Sequence, residues 1–192
     1  MPDSSSAGAE LVDEPFSPPI VSTGLDFEGR VWDVRRDVFE YNGHEITRDY
    51  IDHPGAVAVL VLDSDDRALL IQQYRHPIRS RDWEIPAGLL DIEGEDTLVA
   101  AQRELGEEAD LVAADWSPLV TFNSSPGGSN EIITVYLARE VISTATSYSR
   151  TEEEADIVVR WVPLDDVVAG VLAGRLRNSI LSIAVLAAHA RR

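Results

Sequence analysis

The sequence predicts an α/β (α+β) fold, a mixed β-sheet sandwiched between helices and preceded by an antiparallel β extension. Three observations lead there. Residues 56–62 (AVAVLVL) are apolar, as in a strand covered on both faces. Within residues 97–109, Leu98, Ala101, Leu105 and Ala109 fall on one stripe of a helical wheel, the side that faces a core. An Asn42-Gly43 pair joins two short β-prone runs, which is a hairpin signal.

Taken in order, residues 1–19 hold Ser, Gly, Asp, Glu and four prolines with little to bury, and read as a disordered acidic arm. Residues 20–192 then form a single domain that includes the hairpin, at about 25–52. Strands are predicted over 31–39, 45–51, 56–62, 68–74 and 83–85, the last running into Pro86-Ala87-Gly88. A helix over 97–109 follows, then strands over 116–122 and 132–138 separated by a Gly-rich turn. Residues 144–156 are a polar excursion, 157–162 a strand, and 164–172 and 178–190 two closing helices. The chain has no internal repeat.

With 192 residues and 44% hydrophobic content the chain fills one core. Lys plus Arg is 16 against 34 Asp plus Glu, a net charge of −18 that repels polyphosphate backbones and argues against nucleic-acid binding. Arg75, Arg79 and Arg81 around His76 form the densest cationic group, suited to one small anion. The absence of cysteine excludes disulfides, thiolate metal sites and cysteine nucleophiles together. The N-terminus is unlike a signal peptide, and no apolar run approaches the roughly 18 residues of a membrane span, so the expected location is cytoplasmic.

The informative segment runs from Gly88 to Leu111. Glu104, Glu107 and Glu108 are spaced i, i+3 and i, i+4, which places three carboxylates on one side of a helical turn. Like charges so placed repel by roughly 0.2–0.5 kcal/mol per pair, and the negative end of the helix dipole adds to the cost. A hard divalent cation reverses both terms, because it gains from clustered oxygen ligands.

This segment resembles the Nudix hydrolase motif: Gly, five residues, Glu, seven residues, then Arg-Glu, an aliphatic, any residue, Glu-Glu, any residue, Gly and an aliphatic. Here Glu95 is followed after seven residues by Arg103-Glu104-Leu105-Gly106-Glu107-Glu108-Ala109-Asp110-Leu111. Two departures stand out: six residues separate Gly88 from Glu95, consistent with a one-residue loop insertion, and Asp110 occupies a glycine position at the helix C-terminus.

The resemblance implies a Nudix-like fold and a metal held by Glu104, Glu107, Glu108 and the backbone carbonyl of Ala87. The cation it implies is Mg²⁺, with Mn²⁺ as substitute, and an all-oxygen shell without Cys or His agrees with that. Gly88, Glu95 and Arg103 take supporting roles, Glu95 either as a helix cap or as the partner of Arg103.

The loop Thr121-Phe-Asn-Ser-Ser-Pro126-Gly127-Gly-Ser-Asn-Glu131, with Trp83-Glu84-Ile-Pro-Ala-Gly88 and Gln73-Tyr-Arg75-His76, is similar to the ADP-ribose pyrophosphatase branch of that family. The implied reaction is Mg²⁺-dependent hydrolysis of the ADP-ribose diphosphate to AMP and ribose 5-phosphate. The alternatives are another nucleoside diphosphate sugar as substrate, or a non-catalytic nucleotide sensor.

Glu131 is the candidate general base or additional ligand, on a loop to which Gly127 and Gly128 lend mobility. Arg75, Arg79 and Glu84 are candidate substrate contacts, and Arg48 reaches across to a partner copy's substrate. Phe27 and Trp32 are candidates for stacking on adenine, or for core or dimer contacts. Members of the branch pair through their N-terminal sheets, so a homodimer is expected.

Overall fold

The computed structural model describes residues 10–144, 148 and 156–192, so part of the N-terminal arm and most of the 144–156 excursion lie outside the described residues. The chain divides into two compact units, Met1–Tyr50 and Ile51–Arg192.

The first unit is a three-stranded antiparallel sheet in the order β1 (Ile20–Phe27), β2 (Asp33–Tyr41), β3 (His44–Asp52). Asn42 (φ 51°) and Gly43 (φ 78°) make the tight hairpin turn with two consecutive left-handed residues that their identities predict. Strand β1 escapes the sequence pattern because all eight of its residues are exposed, leaving no alternation to read; its backbone pairing, from Ile20↔Phe39 to Phe27↔Val34, defines it. Val31 and Trp32, expected in the second strand, lie instead in a turn closed by the Gly29 N–H donating to Asp33 Oδ1 at 3.1 Å. A side chain at Gly29 would collide with the Trp32 carbonyl, 1.8 Å away.

The second unit contains strands β4 (Ala56–Val61), β5 (Arg67–Arg75), β6 (Ser80–Glu84), β7 (Ala87–Leu89), β8 (Leu111–Asn123), β9 (Ile132–Ser143) and β10 (Val158–Pro163). Its helices are α1 (Thr97–Ala109), α2 (Leu164–Leu172) and α3 (Ser179–Ala190). One sheet has the order β7-β4-β9-β8, mixed because β4 and β9 run parallel; the other is the antiparallel set β10-β5-β6.

Strand β4 is buried on both faces, as its composition requires. Ala58 and Leu60 point into a cluster with Leu164, Val167, Leu181 and Val185 of α2 and α3. Val57, Val59 and Val61 point the other way, onto Ala100, Ala101 and Leu105 of α1. Helices thus cover both faces of the mixed sheet. Among the described residues no helix is long and apolar enough to cross a membrane.

Helices α1 and α2 have the predicted bounds, and Asn178 caps α3 by accepting the Leu181 N–H at 3.0 Å. Strands β8 and β9 are longer than predicted. Their extra residues, Ala113 and Asp115 opposite Val141 and Arg139, have no strong β pattern and are recruited by pairing with each other. The three-residue β7 and the 3₁₀ turn His76–Ile78 are too short to leave a periodic signal.

Candidate active site

The site is assembled where β7 meets α1. Ala87 and Gly88 pair with Ala58 and Val57 of β4, which fixes their backbone against the core. The Ala87 N–H donates to Glu108 Oε2 at 2.8 Å, and Glu108 is 4% exposed. A Cβ at Gly88 would lie 2.0 Å from the Glu104 carboxyl carbon, so glycine is what allows this helix carboxylate to rest against the strand. Glu104 and Glu108, one turn apart, therefore both engage the same short piece of backbone.

The loop 90–96 absorbs the extra residue of the motif without disturbing the helix. Glu95 N–H donates to the Ile92 carbonyl at 3.1 Å, Gly94 takes φ 78°, and Asp96 caps α1 by accepting the Leu98 N–H at 2.9 Å. Asp96, not Glu95, is the cap. Glu95 receives Arg103 instead, with Nε at 3.3 Å and Nη2 at 3.1 Å.

Arg103 also donates through Nη1 to Glu104 at 2.5 Å and to Glu107 at 3.2 Å. One guanidinium thus spans three carboxylates and offsets the repulsion expected from the sequence. Its hydrogen bonds to Glu95 raise the Arg103 pKa above its ordinary value, burial opposes that, and Glu104 adds to the rise. Among the described residues no three His, Asp or Glu side chains converge to hold a metal ion: Glu104 and Glu107 turn to Arg103, and Glu108 to Ala87. The donor set itself fits a hard cation, being all oxygen, with the missing Gly88 side chain leaving Glu104 room beside the strand.

Asp110 adopts the left-handed conformation (φ 54°) that glycine has in the motif. Its N–H donates to the Gly106 carbonyl at 3.0 Å, and its carboxylate accepts the Tyr148 N–H at 2.8 Å. Aspartate here adds a contact that glycine lacks.

Arg75 and Glu84, both candidate substrate contacts, are brought together. Arg75 donates to the buried Glu84 carboxylate through Nε at 2.8 Å and Nη2 at 2.6 Å, and Gln73 Nε2 adds a long contact at 3.4 Å. Arg79 is exposed in a left-handed conformation (φ 50°) after the 3₁₀ turn, and His76 is exposed with Nδ1 3.2 Å from the Tyr74 hydroxyl. Phe27, Trp32 and Arg48 belong to the first unit; Phe27 and Trp32 are exposed, and Arg48 donates to the Thr47 carbonyl at 2.8 Å.

The Glu131 loop is more tightly fastened than its glycines suggest. Neither Gly127 nor Gly128 has a positive φ, and neither is crowded, so the turn does not depend on them. Ile51 N–H donates to the Gly128 carbonyl at 2.9 Å, and Asn130 reaches Asp52 through Nδ2 at 2.7 Å. The Ser124 hydroxyl donates to Glu131 Oε2. Ser124 and Asn130 lie within the quoted loop; only the folded chain reveals what they hold.

The NUDIX domain model matches residues 52–181, and the chain belongs to that family. Among its relatives, the ADP-ribose pyrophosphatase of Mycobacterium tuberculosis is 40% identical over 163 residues, covering 84% of this chain and 78% of the relative. The methanol dehydrogenase activator of Bacillus methanolicus is 33% identical over 171 residues, 88% of this chain and 91% of the relative. A crystal structure of an ADP compounds hydrolase has the same fold, with a TM-score of 0.77 at 20% identity over 94% of this chain and 96% of the other.

Proposed function

We propose that this protein hydrolyses ADP-ribose to AMP and ribose 5-phosphate, using Mg²⁺ or, in its place, Mn²⁺. The observation that carries this reading is the junction of β7 with α1, in which Gly88 admits Glu104 and Ala87 receives Glu108. The similarity to the Mycobacterium tuberculosis enzyme supports the choice of substrate.

Glu104, Glu107, Glu108 and the Ala87 carbonyl would hold the cation, which when bound neutralises the diphosphate and makes water a better nucleophile. Arg103, itself held by Glu95, keeps Glu104 and Glu107 on one side of the helix until they are needed. Glu131 takes the proton of the attacking water, or serves as a further ligand. The water oxygen bonds to one phosphorus, the bridging P–O bond breaks, and each half leaves as a monophosphate.

Arg79 and the outer edge of Arg75 meet the phosphates, while Glu84 anchors Arg75. Phe27 and Trp32 stack on the base, and the protein acts as a cytoplasmic homodimer in which Arg48 serves a neighbouring copy's substrate. A product-resolved assay of ADP-ribose, other nucleotide sugars and dinucleotides with Mg²⁺ tests the reading. AMP and ribose 5-phosphate are the expected products, and untouched ADP-ribose beside a cleaved alternative would overturn the choice of substrate.

A further inference from the structure

His53 has no place in the sequence motif, yet it stands directly behind Glu131. Its side chain is 5% exposed, and its Nδ1 accepts the Gly55 N–H at 3.1 Å. Gly55 (φ 92°) makes that geometry possible: a Cβ there would lie 3.3 Å from the Ile132 carbonyl and 3.4 Å from Leu90 Cδ1, in a backbone conformation that other residues rarely adopt. A ring nitrogen that accepts carries no proton, so the neutral imidazole bears its proton on Nε2. That nitrogen faces Glu131 Oε1 at 3.4 Å.

The other Glu131 oxygen, Oε2, accepts the Ser124 hydroxyl. The backbone on either side is tied as well: His53 N–H donates to Asn130 Oδ1 at 2.8 Å, and Glu131 N–H donates to Ser129 Oγ at 3.1 Å. Each carboxylate oxygen therefore faces one donor. The 3.4 Å separation is long for a hydrogen bond, a common condition of catalytic contacts before substrate binds.

We infer that His53 is a positioning residue for Glu131, presenting Nε2–H to Oε1 while Ser124 holds Oε2, so that the carboxylate plane is set before substrate arrives. The inference rests on the reading of Glu131 as a participant in hydrolysis. The role inferred for His53 is exercised through the Glu131 carboxylate. Gly55, through its N–H, selects the tautomer that makes the ring a donor at the required end.

The test uses the full chain with Mg²⁺ and ADP-ribose, comparing His53→Ala, His53→Gln, Glu131→Gln and the double variant His53→Ala/Glu131→Gln. His53→Ala is expected to lower kcat by about tenfold or more with KM changed less than about threefold, as when a reacting group is misplaced rather than substrate binding lost. His53→Gln, whose amide can donate from a similar reach, is expected to restore most of that loss. In the Glu131→Gln background, removing His53 should cost less than about twofold, because two residues acting through one contact are not additive.

Nitrogen-15 spectra of the imidazole give a readout independent of turnover: a proton on Nε2, and an Nε2 shift that moves in Glu131→Gln. A kcat within about twofold of wild type in His53→Ala while Glu131→Gln is crippled, losses that multiply in the double variant, or a proton found on Nδ1 would each overturn the inference. Wild-type turnover in Glu131→Gln would remove both the role of Glu131 and that of His53. If the wild type leaves ADP-ribose intact, the substrate reading fails, and the spectra still decide whether His53 grips Glu131.

Discussion

The Ala87 amide donates to Glu108 Oε2 at 2.8 Å, joining a three-residue strand to the last turn of a helix that begins ten residues later. The contact leaves Glu108 buried with one oxygen satisfied by the backbone. Its neighbour Glu104 rests on Gly88 and is held by Arg103.

Glu104→Gln and Glu108→Gln should each lose about 10²-fold or more in turnover, since each keeps shape while deleting charge. Their melting temperatures should stay within a few degrees of wild type. For Glu104 the relief of carboxylate repulsion is offset by a weaker contact with Arg103, and in Glu108→Gln the amide oxygen still accepts from Ala87. Kinetics and thermal melts in parallel check both halves, and near-wild-type turnover in Glu108→Gln would remove it from the proposed metal site.

Gly88→Ala separates geometry from folding. The added methyl meets first the far end of the Glu104 side chain, so the fold should survive with a loss of about 1–3 kcal/mol. Displacing that carboxylate should lower Mg²⁺-supported turnover by about tenfold or more. Calorimetry and a Mg²⁺ titration of the same sample decide; unchanged turnover would mean that Glu104 need not lie against the strand.

Much of this arrangement was legible in the sequence. The bounds of α1 and α2, the two-sided β4 and the Asn42-Gly43 hairpin all follow from periodicity and turn chemistry, which act over a few residues. Strand β1 did not, because a strand whose side chains are all exposed has no alternation to read and is defined by its backbone pairing with β2. The same limit applies to the site. The carboxylates are visible in their spacing, but that Asp96 caps the helix and frees Glu95 for Arg103 depends on the loop's path. Likewise Arg75 and Glu84, each legible as a charged residue near the motif, become a pair only through the register of β5 and β6.

The turn between β4 and β5 gives a pH prediction. Burial pushes the Asp63 carboxyl up, but hydrogen bonds from the Arg67 and Asp65 backbone and from the Arg67 guanidinium together outweigh it and hold the pKa below the usual value. A depressed folded-state pKa contributes stability that is complete above the unfolded value, about 3.9, and is lost as pH falls through the folded one. Asp63→Asn should therefore melt lower than wild type near neutrality, with a gap that narrows below about pH 4. A gap independent of pH would show that charge is not its source.

The homodimer expected from the sequence has apolar material to use. In the first unit Ile20, Val21, Leu25, Phe27 and Val31 are each more than half exposed. Light scattering at micromolar concentration should give about twice the 21.1 kDa chain mass. A single-chain mass would remove the dimer and any service of Arg48 to a neighbouring copy.

Strand β4 contributes to both hydrophobic clusters and runs parallel to β9, with α1 and β8 lying between them in the chain. Such pairing forms only after that long intervening segment has closed, which makes it slow compared with turning a helix. Among the described residues β7 pairs with β4 alone, so the backbone that receives Glu104 and Glu108 is assembled on that strand. Recovery after denaturation is therefore expected to be ordered in time, with helical signal returning early and catalytic competence arriving with the last long-range closure.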